Sequence, residues 1–273
     1  MSFIPQRKKP KLKKVFIIFT IMYLTISSAL YFIQDNILFR PTVLEQNFEY
    51  QFLYPFEELF LKPNEDAVIN ALHFKNKNPK GVILYFHGNS GDLSRWGKVT
   101  EYFVEKNYDV LVMDYRTYGK STGTITEKAL YNDAQFCYEY LKKHYDEKDI
   151  TVYGRSLGTS FAAYVTSINS PKQLILETPY YSMVDVALTR FPILPIRYLL
   201  RYKLPTNDFI GKITCNILMF HGTKDKVIRI KSAKKLYEVA PQDITTFITI
   251  EGGSHNDLIE YSEYHEAIKK VFP

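Results

Sequence analysis

Two cysteines in 273 residues are too few for a disulfide framework. Cys137 falls in a helical pattern and Cys215 at the start of an apolar run, so both read as small core residues. Neither has a metal-ligand spacing, and no metal or cofactor is expected. Acidic residues are missing from positions 1–14, which hold Arg7, Lys8, Lys9, Lys11, Lys13 and Lys14. Removing those six from the 35 basic residues leaves 29 against 29 acidic ones, so the folded body is neutral. A nucleic-acid partner, which needs a basic face on the folded part, is excluded. There is no internal repeat, and no low-complexity segment outside the basic arm. A hydrophobic content of 46% excludes global disorder, and the length suits one large α/β domain or two small ones.

Charge is also absent from Val15 to Ile33, a run of 19 residues. As a helix it spans about 28 Å, close to a bilayer core. Six basic residues precede it, and Arg40 is the one basic residue in the stretch that follows. The positive-inside rule then places the N-terminus in the cytoplasm and the body on the periplasmic, extracellular or lumenal side. A cleaved signal peptide is the rival, with Ser27-Ser28-Ala29 as a small-residue cleavage site. Leu30-Tyr31-Phe32-Ile33 continues the apolar run past that site and favours an uncleaved single-pass anchor. The organisation expected is a basic cytoplasmic arm (1–14), a transmembrane signal anchor (15–33) and one domain (34–273).

Within that domain, strands are expected at 48–62 and 67–74, joined by a turn at 63–66, and at 81–86, 108–114, 150–153, 173–177, 215–221 and 244–250. Helices are expected at 93–106, 127–144, up to about 168 after the strand at 150–153, at 229–239 and at 258–270. Alternating strands and helices imply βαβ units and a mostly parallel central sheet with helices on both faces. The segment at about 178–212 breaks the alternation. Its Phe191-Pro192-Ile193-Leu194-Pro195-Ile196 run is too proline-dense for a long element, and it reads as a short cap over the carboxyl ends of the strands.

Gly154-Arg155-Ser156-Leu157-Gly158 follows one of the apolar runs and opens a small-residue helix. A serine on a sharp strand-to-helix turn is the nucleophile elbow of a serine hydrolase. A Cβ at Gly154 or Gly158 would strike the neighbouring strand or helix. Such a serine needs a base, and the base an orienting acid. Three histidines follow it. His265 lies in the final helix and reads as a solvated-face residue. His221 ends a strand and reads as structural. His255, in the loop Gly252-Gly253-Ser254-His255, is the expected base. Asp225, in His221-Gly222-Thr223-Lys224-Asp225, is the expected acid. Its rival Asp257 reads as the cap of the following helix. The oxyanion donors expected are the backbone N–H groups of Leu157 and of Asn89 in His87-Gly88-Asn89, with Ser90 in reserve.

Together with Asp114-Tyr115-Arg116-Thr117-Tyr118-Gly119-Lys120-Ser121, Glu177-Thr178-Pro179 and Gln34-Asp35-Asn36-Ile37-Leu38-Phe39-Arg40-Pro41, these motifs resemble the α/β-hydrolase superfamily. The chain looks most like the membrane-anchored α/β-hydrolase-domain proteins related to the serine aminopeptidase and prolyl oligopeptidase group. The resemblance covers residues 34–273. It departs from the family at Thr117, where glycine is common, and at Arg229, where proline is. It implies an α/β-hydrolase fold and a metal-free serine hydrolase working through an acyl-enzyme. An ester or thioester of a small-molecule or lipid-like acyl group is the expected substrate. The alternatives are an aminopeptidase-like amide hydrolase and a non-catalytic, membrane-tethered interaction protein.

Overall fold

The computed structural model describes residues 10–273. Most of the basic arm, through Lys9, lies outside the described residues. Helix α1 runs from Pro10 to Leu38, longer at both ends than the expected 15–33. Over Leu12–Leu38 it is apolar and long enough to cross a membrane. Most of its apolar side chains are exposed, Phe32 at 73% among them.

The body is built on one eight-stranded sheet. In chain order its strands are β1 (Phe56–Asn64), β2 (Ala67–Phe74), β3 (Val82–Phe86), β4 (Asp109–Met113), β5 (Ile150–Arg155), β6 (Gln173–Glu177), β7 (Asn216–Gly222) and β8 (Thr245–Ile250). Their order across the sheet is β8-β7-β6-β5-β3-β4-β2-β1. Only β2 runs against the others, pairing antiparallel with both β1 and β4. The crossovers are α2 (Leu93–Val104), α3 (Glu127–Lys142), α4 (Gly158–Ser167), three short cap helices and α8 (Ile230–Glu238), and α9 (Ser262–Val271) closes the chain.

The period-2 pattern of the central strands divides the core. In β3, Val82, Leu84 and Phe86 face the layer containing Ala134, Cys137, Phe161 and Leu236. Ile83 and Tyr85 face the layer containing Trp96, Phe103, Tyr264 and Ile268. Helices therefore cover both faces, each fully buried large side chain contributing about 1.5–3 kcal/mol. Helix α2 starts where the Asp92 carboxylate accepts from Ser94 N at 2.7 Å, and α3 where Thr126 Oγ1 accepts from Ala129 N at 3.1 Å.

Three expectations need correction. The strand expected from 48 begins only at Phe56. The aromatic alternation at Tyr50 and Phe52 is real but packs side chains without pairing backbones, with Phe52 against Phe56 at the start of β1 and Phe74 at the end of β2. The final helix is split by Tyr261 into a single 3-10 turn (Leu258–Glu260) and α9. Cys215 is half-buried and lies just before β7, whereas Cys137 is buried in α3. The segment after β6 is broken as its prolines require, into α5 (Met183–Arg190), α6 (Ile196–Leu199) and α7 (Thr206–Ile210).

Candidate active site

Strand β5 ends in the elbow. Ser156 has φ +51°, a left-handed conformation that costs a non-glycine residue about 1–2 kcal/mol. The turn is held by Ser156 N–H donating to Glu177 O at 2.9 Å and by Thr159 N–H donating to Ser156 O at 3.0 Å. The glycines are demanded sterically. A Cβ on Gly154 would lie 2.7 Å from Ala162 Cβ, and one on Gly158 would collide with the Phe86 carbonyl oxygen.

The structure brings Ser156, His255 and Asp225 together from three loops at the carboxyl ends of β5, β8 and β7. His255 Nε2 lies 2.9 Å from Ser156 Oγ, and His255 Nδ1 lies 2.7 Å from Asp225 Oδ2. The second carboxylate oxygen, Oδ1, accepts from Val227 N at 2.8 Å and Ile228 N at 2.9 Å. With Nδ1–H donating to the buried acid, Nε2 is left to accept the serine proton.

The other histidines sit elsewhere. His221 is buried beneath the acid loop, with Nε2–H donating to Ile228 O at 2.8 Å, and burial lowers its pKa. His265 bonds Tyr102 OH at 3.0 Å on the surface. Asp257 is not a side-chain cap. Its two oxygens accept from Ser254 N and Ser254 Oγ, each at 2.6 Å, closing the loop that carries His255. The Ser254 hydroxyl bond lowers the Asp257 pKa.

The N–H groups of Leu157 and Asn89 have no acceptor among the described residues, and both residues line the cavity over Ser156. Asn89 is fixed from behind: its carbonyl accepts from Arg40 N at 2.9 Å and Tyr118 OH at 2.7 Å. Its side chain donates to Leu38 O, the last residue of α1, at 3.1 Å. Ser90 is drawn aside into a two-residue parallel pairing with Arg40-Pro41. Below the loop, buried His87 stacks on Trp96, and its Nε2 lies 3.2 Å from Asp114 Oδ1.

Three features had no sequence signal strong enough to single them out. Arg155 pairs with Glu177 at 3.2 Å and reaches Asn256 O at 3.3 Å, tying the elbow to the His255 loop. Gly222 and Gly253 pack so closely that a Cβ on Gly222 would collide with the Gly253 carbonyl. The third is the part α1 plays in the cavity wall. The cavity, about 460 Å³, is walled by Leu30, Gln34 and Ile37 of α1 together with cap residues such as Met183, Val186 and Leu199. Gln34 is buried, with Nε2 donating to Leu199 O at 3.2 Å and Oε1 accepting from Arg201 N at 2.8 Å. Among the described residues no group of three or more His, Cys, Asp or Glu side chains is placed to hold a metal ion.

A mostly parallel, doubly covered sheet with a serine at a strand-to-helix elbow, facing a histidine and an aspartate from later loops, defines an α/β-hydrolase. The family profile described as "Serine aminopeptidase, S33" matches residues 77–205. Human alpha/beta hydrolase domain-containing protein 17B is 31% identical over 199 residues, covering 71% of this chain and 66% of that protein. The mouse protein 17C is 31% identical over 195 residues, covering 69% and 58%. The matched region thus spans less than two thirds of these relatives' lengths. An esterase of Pyrococcus furiosus superposes with a TM-score of 0.67 at 17% identity, covering 85% of this chain and 96% of that one. Acetyl xylan esterase 1 from Thermoanaerobacterium gives 0.64 at 16%, covering 84% and 85%. The chain belongs to the α/β-hydrolase superfamily.

Proposed function

We propose that this protein is a membrane-anchored serine hydrolase that cleaves a carboxylic ester or thioester through an acyl-enzyme. The observation that carries the reading is the continuous relay from Ser156 Oγ through His255 to Asp225. Ser156 Oγ attacks the acyl carbonyl while His255 Nε2 takes its proton. The N–H groups of Leu157 and Asn89 receive the oxyanion, each worth about 10²–10³ in rate. Collapse breaks the bond to the leaving group, which departs with the proton from His255. Water then attacks the acyl-enzyme, giving up a proton to His255, and the carboxylic acid leaves as Ser156 recovers its hydrogen.

The lining of the cavity favours esters and thioesters over an aminopeptidase substrate. An aminopeptidase must hold a free ammonium group, and no Asp or Glu lines this cavity. Apolar side chains from α1 and the cap suit an acyl chain. Helix α1 supports the uncleaved anchor, since it continues without a break through Ser27-Ser28-Ala29 and its last turns wall the cavity. The basic residues before it favour a cytoplasmic N-terminus, with the catalytic domain across the membrane.

Fluorophosphonate labelling of the full-length chain, wild type against Ser156→Ala, tests the chemistry. Loss of labelling in the variant is the expected result, and equal labelling overturns it, leaving the non-catalytic interaction reading. Turnover of matched acyl esters, acyl thioesters and aminoacyl amides tests the substrate class, and preference for the amides would reverse it.

A further inference from the structure

The cavity over Ser156 carries a charge imbalance that hydrolysis of a neutral acyl ester does not use. Four arginines line it, Arg40, Arg95, Arg155 and Arg190, and no carboxylate does. Arg155 is committed to Glu177. The other three have no Asp or Glu within ion-pair distance among the described residues. Arg40, Arg95 and Arg190 are solvent-exposed residues lining one cavity without a carboxylate partner, a positive lining that favours an external anion.

Their placement is specific. Arg40 pairs alongside Ser90 in the short parallel ladder, and the Arg95 guanidinium donates to Ser90 Oγ at 3.2 Å. Both therefore flank the loop that presents Asn89 N–H. The Arg95 guanidinium carbon also lies 4.9 Å from the centroid of the Trp96 ring, a cation–π contact that helps to hold it there. Arg190 comes from the cap, with one nitrogen donating to Val227 O at 2.9 Å. The apolar lining comes from other elements, α1 and the inner side of the cap.

We infer that the substrate is an acyl ester or thioester whose leaving group carries a phosphate, held by Arg40, Arg95 and Arg190 while α1 and the cap hold the acyl chain. This rests on the serine-hydrolase reading of Ser156. Arginine presents paired N–H donors that match phosphate oxygens. The phosphate takes no part in bond making. It travels with the alcohol or thiol that accepts the His255 proton, so recognition acts on leaving-group choice. Two sources share this chemistry: the headgroup of a membrane glycerophospholipid and a soluble phosphorylated thioester carrier.

The test uses the full chain in non-ionic detergent at low salt and compares kcat/KM within matched pairs. One pair is a 1-acylglycerol 3-phosphate against the 1-acylglycerol with the same chain. The other is an acyl-coenzyme A against the acyl-N-acetylcysteamine thioester. Preference for the phosphorylated member of at least one pair, about tenfold or more, is expected, and the pair that shows it identifies the source. Arg95→Gln and Arg40→Gln should each cut that preference several-fold, while Arg95→Lys keeps most of it.

Binding separates this inference from the catalytic one. Trp96 is the single tryptophan of the chain and lines the cavity. Its fluorescence in Ser156→Ala should report tighter binding of the phosphorylated lipid or thioester than of its neutral partner, weakening with added salt. Equal binding and equal kcat/KM within both pairs, or a preference untouched by Arg95→Gln, would overturn the phosphate site. Selective binding without hydrolysis of any substrate would support the site and overturn the hydrolytic reading.

Discussion

Gln34 and Arg201, 167 residues apart in the chain, are joined by a 2.8 Å hydrogen bond from the Arg201 backbone N–H to the Gln34 side-chain oxygen. Beside it, the Arg201 guanidinium pairs with Asp35 at 2.7 Å. The last turns of the N-terminal helix are thereby fastened to the cap that roofs the cavity.

Gln34→Leu keeps the volume but removes the bonds to Leu199 and Arg201. A loss of about 1–3 kcal/mol in cap attachment is expected, seen as faster limited proteolysis within 190–203. KM for long-chain esters should rise more than for short-chain ones.

Asp225→Asn leaves the shape of the acid loop but cannot stabilise the imidazolium at His255. A fall in kcat of about 10⁴ is expected, with Ser156→Ala falling further, to about 10⁶ below wild type. Both should keep the wild-type thermal midpoint within a few degrees. An Asp225→Asn enzyme of near-normal rate would make Asp225 structural.

Thr117 is an exposed, β-branched residue with φ +70°, a backbone conformation that favours glycine. Thr117→Gly should stabilise the domain by about 1 kcal/mol by relieving the left-handed strain. A lower thermal midpoint in the variant would mean that the strain is compensated by contacts of the threonine side chain.

His73 is buried on β2 between Tyr140 and Tyr145, and burial, aided by Lys75, lowers its pKa from 6.5 to about 4. The folded state holds it neutral while the unfolded chain protonates it below about pH 6.5. Its contribution is full above that pH and lost on acidification through the window down to about pH 4. Between pH 7 and 5 this amounts to about 2 kcal/mol. Denaturant titrations at the two pH values should show that part of the loss missing in His73→Gln.

What could be read from sequence follows the range of the forces involved. The elbow was legible because Gly154, Ser156 and Gly158 meet strict local steric demands. The central strands were legible because a strand covered on both faces needs an unbroken apolar run, as in Val82–Phe86. Loop position after β7 and β8 pointed to His255 rather than His221 or His265, and of the three it is His255 that lies within hydrogen-bond distance of Ser156 Oγ. The segment from Tyr50 to Pro55 was misread because alternating aromatics signal one buried face without saying whether the backbone finds a strand to pair with. The roles of Gln34, Arg155 and Arg95 were invisible, since each depends on a partner or cavity assembled from distant parts of the chain. Asp257 stands at the cap position as expected, but its carboxylate bonds back to Ser254 instead of forward to the turn, because a carboxylate before a helix suits either role.

The contact between Gly222 and Gly253 bears on how this enzyme accommodates different molecules. Two backbones touching without side chains between them leave no slack, so the loops bearing the acid and the base move as one body. Conformational adjustment during turnover must then fall on the opposite bank, where short helices of four to eight residues joined by irregular chain offer easier hinges. Divergence toward new substrates can proceed by rewriting that roof alone, with the proton-transfer geometry inherited intact.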